Sequence, residues 1–211
     1  QKLADDFKTH LEKIIDYCQL ESSYGFTPSD FPLLSLSQAE LDKVLENQSQ
    51  FSNIKNISDL YPLSPLQEGM LFHTLHEKGS GLYCEQVKLD INESVDLECL
   101  KEAWRNTSNR YAILRSGFIW EDVDQALQCV HENFPLAFFE FEGDKNKFEP
   151  FLQEELRKGF NLSNPGLIKI FICENEVKHF TLAILFHHIV LDGWSLSLVL
   201  AEFFKKYKEL L

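Results

Sequence analysis

Basic clusters, paired cysteines, glycine fingerprints and long apolar runs are all missing from this chain of 211 residues, and each absence narrows what it can be. Lys and Arg number 20 against 33 Asp and Glu, a formal net charge of -13, so a phosphate backbone meets no positive patch and nucleic acid is not an expected partner. The five cysteines, Cys18, Cys84, Cys99, Cys129 and Cys173, are scattered, with no CxxC pair; they read as small core residues in a reducing cytoplasm rather than a disulfide framework or a zinc site. No uninterrupted apolar run reaches the ~18–20 residues of a membrane-spanning helix, and the start QKLADDFKTHLEKII carries a charge every few residues. Neither a membrane anchor nor a signal peptide is expected. No internal repeat, Rossmann glycine fingerprint or P-loop occurs. What the chain does have is apolar bulk: 44% hydrophobic residues, with 18 Phe and three Trp, can build a sizeable core.

Leu3, Phe7, Leu11, Ile14, Ile15 and Cys18 follow helical spacing and predict an amphipathic helix over residues 2–18 that needs something to pack against. Ser37-Gln38-Ala39-Glu40 is a capping-box pattern leading into Leu41, Val44 and Leu45, while the prolines of GFTPSDFPL predict an extended, turn-rich path before it. The polar stretch NQSQFSNIKNISD assigns residues 47–60 to a linker. Ser64-Pro65-Leu66-Gln67 then combines an N-cap serine, proline at the first helical position and a capping-box glutamine, predicting a helix from Pro65 to Lys78. Downstream, the alternation Tyr83, Glu85, Val87, Leu89, Ile91 predicts a strand, and Asp96 caps a helix carrying Leu97, Leu100 and Trp104. ILRSGFIW, QALQCVH and LAFFEFE read as strands, Phe148 to Leu156 as a helix, LIKIFIC and HFTLAILFHHIV as a strand pair, and SLSLVLAEFFKKYKELL as the last helix. This order predicts an α/β fold, a mixed sheet covered by helices, preceded by a helical tail.

The stretch LFHHIVLDGWS, residues 185–195, sets two histidines, an aspartate and a glycine in an apolar run. If residues 181–190 form a strand, His187 and His188 point in opposite directions and cannot share one substrate. Leu182, Ile184 and Phe186 then lie on the His188 side, Ala183 and Leu185 on the His187 side, as in a central strand covered on both faces. The residues alone leave two readings open. Both histidines can be satisfied core groups with Asp192 capping a helix and Gly193 relieving the turn; or a neutral imidazole can meet the free amides and positive end of that helix in a reactive cleft. His73 and His76 stand at i and i+3 on one helix without a third ligand, and Ser195 lacks a GxSxG context, so neither a metal site nor a serine nucleophile is expected.

The same stretch resembles the HHxxxDGWS motif of the condensation-domain superfamily of nonribosomal peptide synthetases, whose fold is similar to chloramphenicol acetyltransferase. Two further family motifs occur in order. YPLSPLQEGMLFH, residues 61–73, resembles the first, and RYAILRSGF, residues 110–118, resembles the second, RHxxLRTxF, with Tyr111 and Ser116 replacing the usual histidine and threonine. RKGFNLSNPGLIKI is similar to the family's GFDL-type segment. The resemblance covers residues 58–211 and implies that 61–211 form the N-terminal, donor-side lobe of a condensation domain. YGFTPSDFPLLSLSQAELDKV and the helix before it resemble the tail that closes an epimerization or condensation domain, assigning residues 1–46 to a preceding domain or its linker. EGMLFH resembles the subtype that takes a donor ending in a D-residue.

The resemblance implies a reaction in which the amine of a downstream carrier-bound aminoacyl group attacks the thioester delivered by an upstream carrier. His188 then stands in the tunnel as base or positioning group, and the Gly193 amide is a candidate donor to the carbonyl oxygen. Asp192 is implied to pair with Arg115 or, second, Arg110, with His187 as a structural support. Gln67, Glu68, Met70, Trp194 and Ser195 are tunnel-lining or bracing candidates. No directly bound cofactor or metal is implied, since substrates ride on phosphopantetheine; the implied partners are the two peptidyl carrier domains, a C-terminal lobe and a preceding epimerization domain. Two alternatives stay open, an epimerization domain of the same superfamily and a non-catalytic carrier-docking module. The 211-residue piece alone is expected to be inactive.

Overall fold

The structure, a computed structural model, describes residues 2–20, 25–48, 56–77, 79–135, 137–176 and 179–211. The chain divides into two units, Gln1–Lys55 and Asn56–Leu211. In the first, helix α1 spans Lys2–Cys18, and its apolar stripe of Leu3, Phe7, Leu11, Ile14 and Ile15 is exposed along its whole length. Thr27 and Asp30 close a 3-10 turn at Pro28–Asp30, with the Phe26 and Phe31 rings 5.1 Å apart. Helix α2, Gln38–Gln48, starts where the Glu40 carboxylate accepts the Ser37 N–H at 2.7 Å, and it buries Leu41, Val44 and Leu45.

Of the expected linker over 47–60, residues 49–55 lie outside the described residues, and the rest is corrected at both ends. Helix α2 runs to Gln48, while strand β1 occupies Ile57–Pro62. The polar run is misleading because two of its apolar residues belong to a strand: Ile57 and Leu60 are buried, and the Asn56 side chain caps the ladder by bonding the backbone of Asn133 in both directions at 2.8 Å.

The second unit continues with α3 (Pro65–His76), β2 (Cys84–Ile91), α4 (Leu97–Arg110), β3 (Ser116–Ile119), β4 (Leu127–His131), β5 (Ala137–Glu140), α5 (Phe148–Lys158), β6 (Ile168–Glu176), β7 (His179–His187) and α6 (Gly193–Leu210). The described strands make two sheets. An antiparallel sheet has the order β1-β4-β3, and a mixed sheet the order β2-β7-β6-β5, with β5 and β6 parallel. Strand β7 is covered on both faces, which is why its sequence is a near-continuous apolar run. Leu182, Ile184 and Phe186 join the core of α4 and α6, where Trp104 meets Phe203 edge-on at 5.4 Å; Ala183 and Leu185 face Phe148 and Leu152 of α5. At about 1.5–3 kcal/mol for each fully buried large side chain, this double cover fixes the strand that carries the histidines. No helix among the described residues is long and apolar enough to cross a membrane.

Candidate active site

The expected strand over 181–190 ends early, at His187, and residues 188–190 turn, with the Val190 N–H donating to the His187 carbonyl at 3.1 Å. The two rings nevertheless part company. His187 is fully buried, and its Nδ1 accepts the Ile189 N–H at 3.1 Å. That nitrogen carries no proton, so Nε2 does, and it donates to Thr74 Oγ1 of α3 at 3.1 Å. Burial, and secondarily the neighbouring His188, pushes its pKa down to about 4. His187 is a neutral, doubly bonded structural group.

His188 is half-buried, with its ring edge-on to Phe186 at 5.7 Å, the same-side neighbour that alternation assigns it. Its backbone N–H donates to the Tyr83 carbonyl at 2.8 Å, and its Nδ1 stands 2.9 Å from the Leu191 carbonyl. A carbonyl can only accept, so Nδ1 carries a proton, and in the neutral form of the ring Nε2 is the lone-pair nitrogen, 3.8 Å from Glu85 Oε1 on β2. Tyr83, which holds this turn, has a φ of 59°, in the left-handed region that costs a bulky residue energy. The preceding turn is fixed by Gly81, with φ 67°, where a Cβ would come 2.6 Å from the Leu156 carbonyl. Residues 81–83 thus set the start of β2 against the histidine turn.

Gln67 is the main brace. Its Oε1 accepts the Ser64 N–H at 3.0 Å, completing the capping box, while Nε2 donates to the Ile189 carbonyl at 3.2 Å and to Gln128 Oε1 at 3.0 Å. Gln128 in turn donates to Ser116 Oγ at 3.0 Å, so a polar chain ties the histidine turn through α3 to the antiparallel sheet. Glu68 is exposed, and Met70 packs partly buried on the main core.

The implied pairing of Asp192 with Arg115 or Arg110 is corrected. Arg115 is buried and spends its guanidinium on main-chain carbonyls: Ser108 at 3.0 Å and Asn109 at the end of α4, His131 at the end of β4 and Glu132 after it. A cation there meets the negative end of α4, which an aspartate could not replace. Arg110 reaches Glu202 of α6 at 3.4 Å. Asp192 is exposed and caps α6, accepting Ser195 N–H at 2.7 Å and Ser195 Oγ–H at 2.6 Å, bonds that hold its carboxyl below the usual range. Ser195 is therefore a capping hydroxyl. Gly193, the first residue of α6, needs no positive φ, and a Cβ there would meet nothing within 4 Å; turn relief, the expected reason for this glycine, does not hold. Trp194 beside it is exposed.

In the sequence, Glu85 and Tyr83 figure only in a strand pattern, and Gln128 carries no local signal. Their part in the site depends on pairing across the fold, with Glu85 opposite Phe186 and Cys84 opposite His187 in the β2–β7 ladder. A cleft of about 490 Å³ lies on the Thr74 side, lined by Leu82, Cys84, Trp120 and Phe160 among others, but not by His188. The site joins an oriented imidazole, a carboxylate and the N-terminus of α6, and the neutral imidazole can accept a proton from, or orient, a group with N–H or O–H hydrogens.

Residues 57–211 match the family model described as Condensation domain. One of the linear gramicidin synthase polypeptides of Brevibacillus parabrevis is 34% identical over 209 residues, covering 96% of this chain and 4% of its own length. Bacitracin synthase 1 of Bacillus licheniformis is 32% identical over 218 residues, covering 100% of this chain and 4% of its own length. The chain thus spans only a small part of these relatives. A solved starter condensation domain of a rhizomide synthetase superposes with a TM-score of 0.65 over 72% of this chain and 38% of that one, at 18% identity.

Proposed function

The chain belongs to the Condensation domain family, and on that premise we propose that residues 57–211 are the donor-side lobe of a nonribosomal peptide synthetase condensation domain acting on two carrier-bound substrates. Its fold is the chloramphenicol acetyltransferase-like α/β fold expected from the sequence. The observation that carries the proposal is the tautomer of His188: Nδ1–H is anchored on Leu191, and Nε2 is left free at the surface. In the reaction the acceptor amine nitrogen bonds to the donor thioester carbon and the C–S bond breaks. His188 Nε2 takes the amine proton and the departing thiolate recovers one, so amide and thiol leave with all protons accounted for. Tethering both reactants on carrier arms supplies proximity.

Gly193 fits the role of donor to the carbonyl oxygen, since it is the first residue of α6, where a backbone N–H has no intrahelical acceptor, and the space at its Cα is open. Because His188 faces the surface, a second lobe closes the tunnel over it and Trp194, and Glu68 and Met70 sit on the helix flanking that opening. Residues 1–46 are the tail of a preceding epimerization or condensation domain, or an interdomain linker, and EGMLFH marks a donor ending in a D-residue. The setting is cytoplasmic, with phosphopantetheine arms rather than a resident cofactor.

The test is amide formation by the complete domain with loaded donor and acceptor carriers. His188→Ala is expected to lower the rate at least about 100-fold with unchanged melting, whereas His187→Ala lowers yield and melting temperature first. Equal catalytic loss in equally well-folded variants would overturn the division of labour. Exchange of the donor α-proton without amide formation would make the chain an epimerization domain, and carrier binding without either reaction a docking module.

A further inference from the structure

We propose that Glu85 is a substrate-contacting residue, the second acceptor of a two-point cradle for the attacking amine; this rests on the condensation reading above. The β2–β7 register places Glu85 opposite Phe186, two residues before His188, and brings its carboxylate to 3.8 Å from His188 Nε2. When the ring is neutral, with its one proton on Nδ1 and committed to the Leu191 carbonyl, Nε2 offers only a lone pair, and so does a carboxylate. Two acceptors facing each other across 3.8 Å have no hydrogen to share. A nitrogen with two hydrogens, lying about 2.9 Å from each acceptor atom, satisfies both.

That geometry describes a primary amine. One hydrogen points to Glu85 and the other to Nε2, which turns the nitrogen lone pair away from both and toward an electrophile. When that lone pair bonds to the thioester carbon and the C–S bond breaks, the amine hydrogen donated to Nε2 transfers to His188 and then to the thiolate, while Glu85 keeps the other hydrogen, which stays on the amide nitrogen, in place. Both side chains are open to solvent, at 30% for His188 and 56% for Glu85, so a substrate can reach between them.

Glu85→Gln in the complete domain, assayed with loaded carriers, tests this. An amide oxygen or NH2 in place of the carboxylate is expected to lower the rate of amide formation about 10- to 100-fold at limiting acceptor, the scale of losing one charge-assisted hydrogen bond. The acceptor concentration for half-maximal rate should rise, the donor value should stay, and melting should be unchanged. A fall in rate with both half-saturation values unmoved would make Glu85 a prop for His188 and overturn the inference, as would a rate within about twofold of wild type. A wild-type domain that forms no amide overturns the condensation reading and this inference together.

Discussion

At the scale of single residues, the histidine pair shows how two identical side chains in sequence acquire different chemistry from their partners. His187 is buried, with both ring nitrogens committed, and its pKa is depressed from about 6.5 to about 4. A depressed histidine stabilises the fold only while neutral. Stability is therefore full above about pH 6.5 and falls as the unfolded chain begins to take up the proton that the folded one refuses. The loss is about 1.4 kcal/mol per pH unit down to about pH 4, roughly 3 kcal/mol in all. Urea unfolding between about pH 7 and pH 4 checks this, and His187→Gln should flatten the slope. Asp192 yields a second expectation. Because its partner is Ser195 and not an arginine, Asp192→Asn should retain the cap and most of the activity, since asparagine caps as well as aspartate. Asp192→Ala should fray the first turn of α6, read as faster hydrogen exchange at its amides. An asparagine variant as impaired as the alanine one would restore the arginine pairing.

At the scale of elements, Gln67 shows one side chain joining three segments. Gln67→Leu keeps the helix propensity but strips the donors from the Ile189 carbonyl and Gln128 Oε1. With about 1–3 kcal/mol for each buried polar group left unpaired, a loss of roughly 2–4 kcal/mol is expected in denaturant unfolding. Local signals of this kind are legible in the sequence. The Ser64–Gln67 and Ser37–Glu40 capping boxes, the Asp96 cap and the apolar run of β7 all fix structure through neighbours within a few residues. What escapes is what long-range pairing decides. Strand β1 hides in a polar stretch because only Ile57 and Leu60 betray it, and their partners lie on β4. Nothing local says that the described strands split into two sheets, that Arg115 serves the end of α4, or that Glu85 arrives beside His188.

At the scale of the whole molecule, the second unit leaves Leu66 and Phe72 of α3 and Trp194 and Leu198 of α6 exposed, and His188, the proposed reacting residue, is itself open to solvent. A tunnel needs a wall over that residue, so the 211-residue chain alone is expected to form no amide from loaded carriers, while the same chain joined to its second lobe does; product formation by the chain alone would refute this. The pairing that builds the site also has a consequence in time. Strand β2 sits at the edge of its sheet, and its described partner, β7, lies about a hundred residues further along, so Glu85 and His188 can meet only after a long loop closes. At about 5–20 residues per second of synthesis, β2 emerges from the ribosome and waits roughly 5–20 s with an open edge before its complement exists. During those seconds the open edge is a site for chaperones and for neighbouring chains, and β7, the last of the described strands to be made, is the one that ends both conditions.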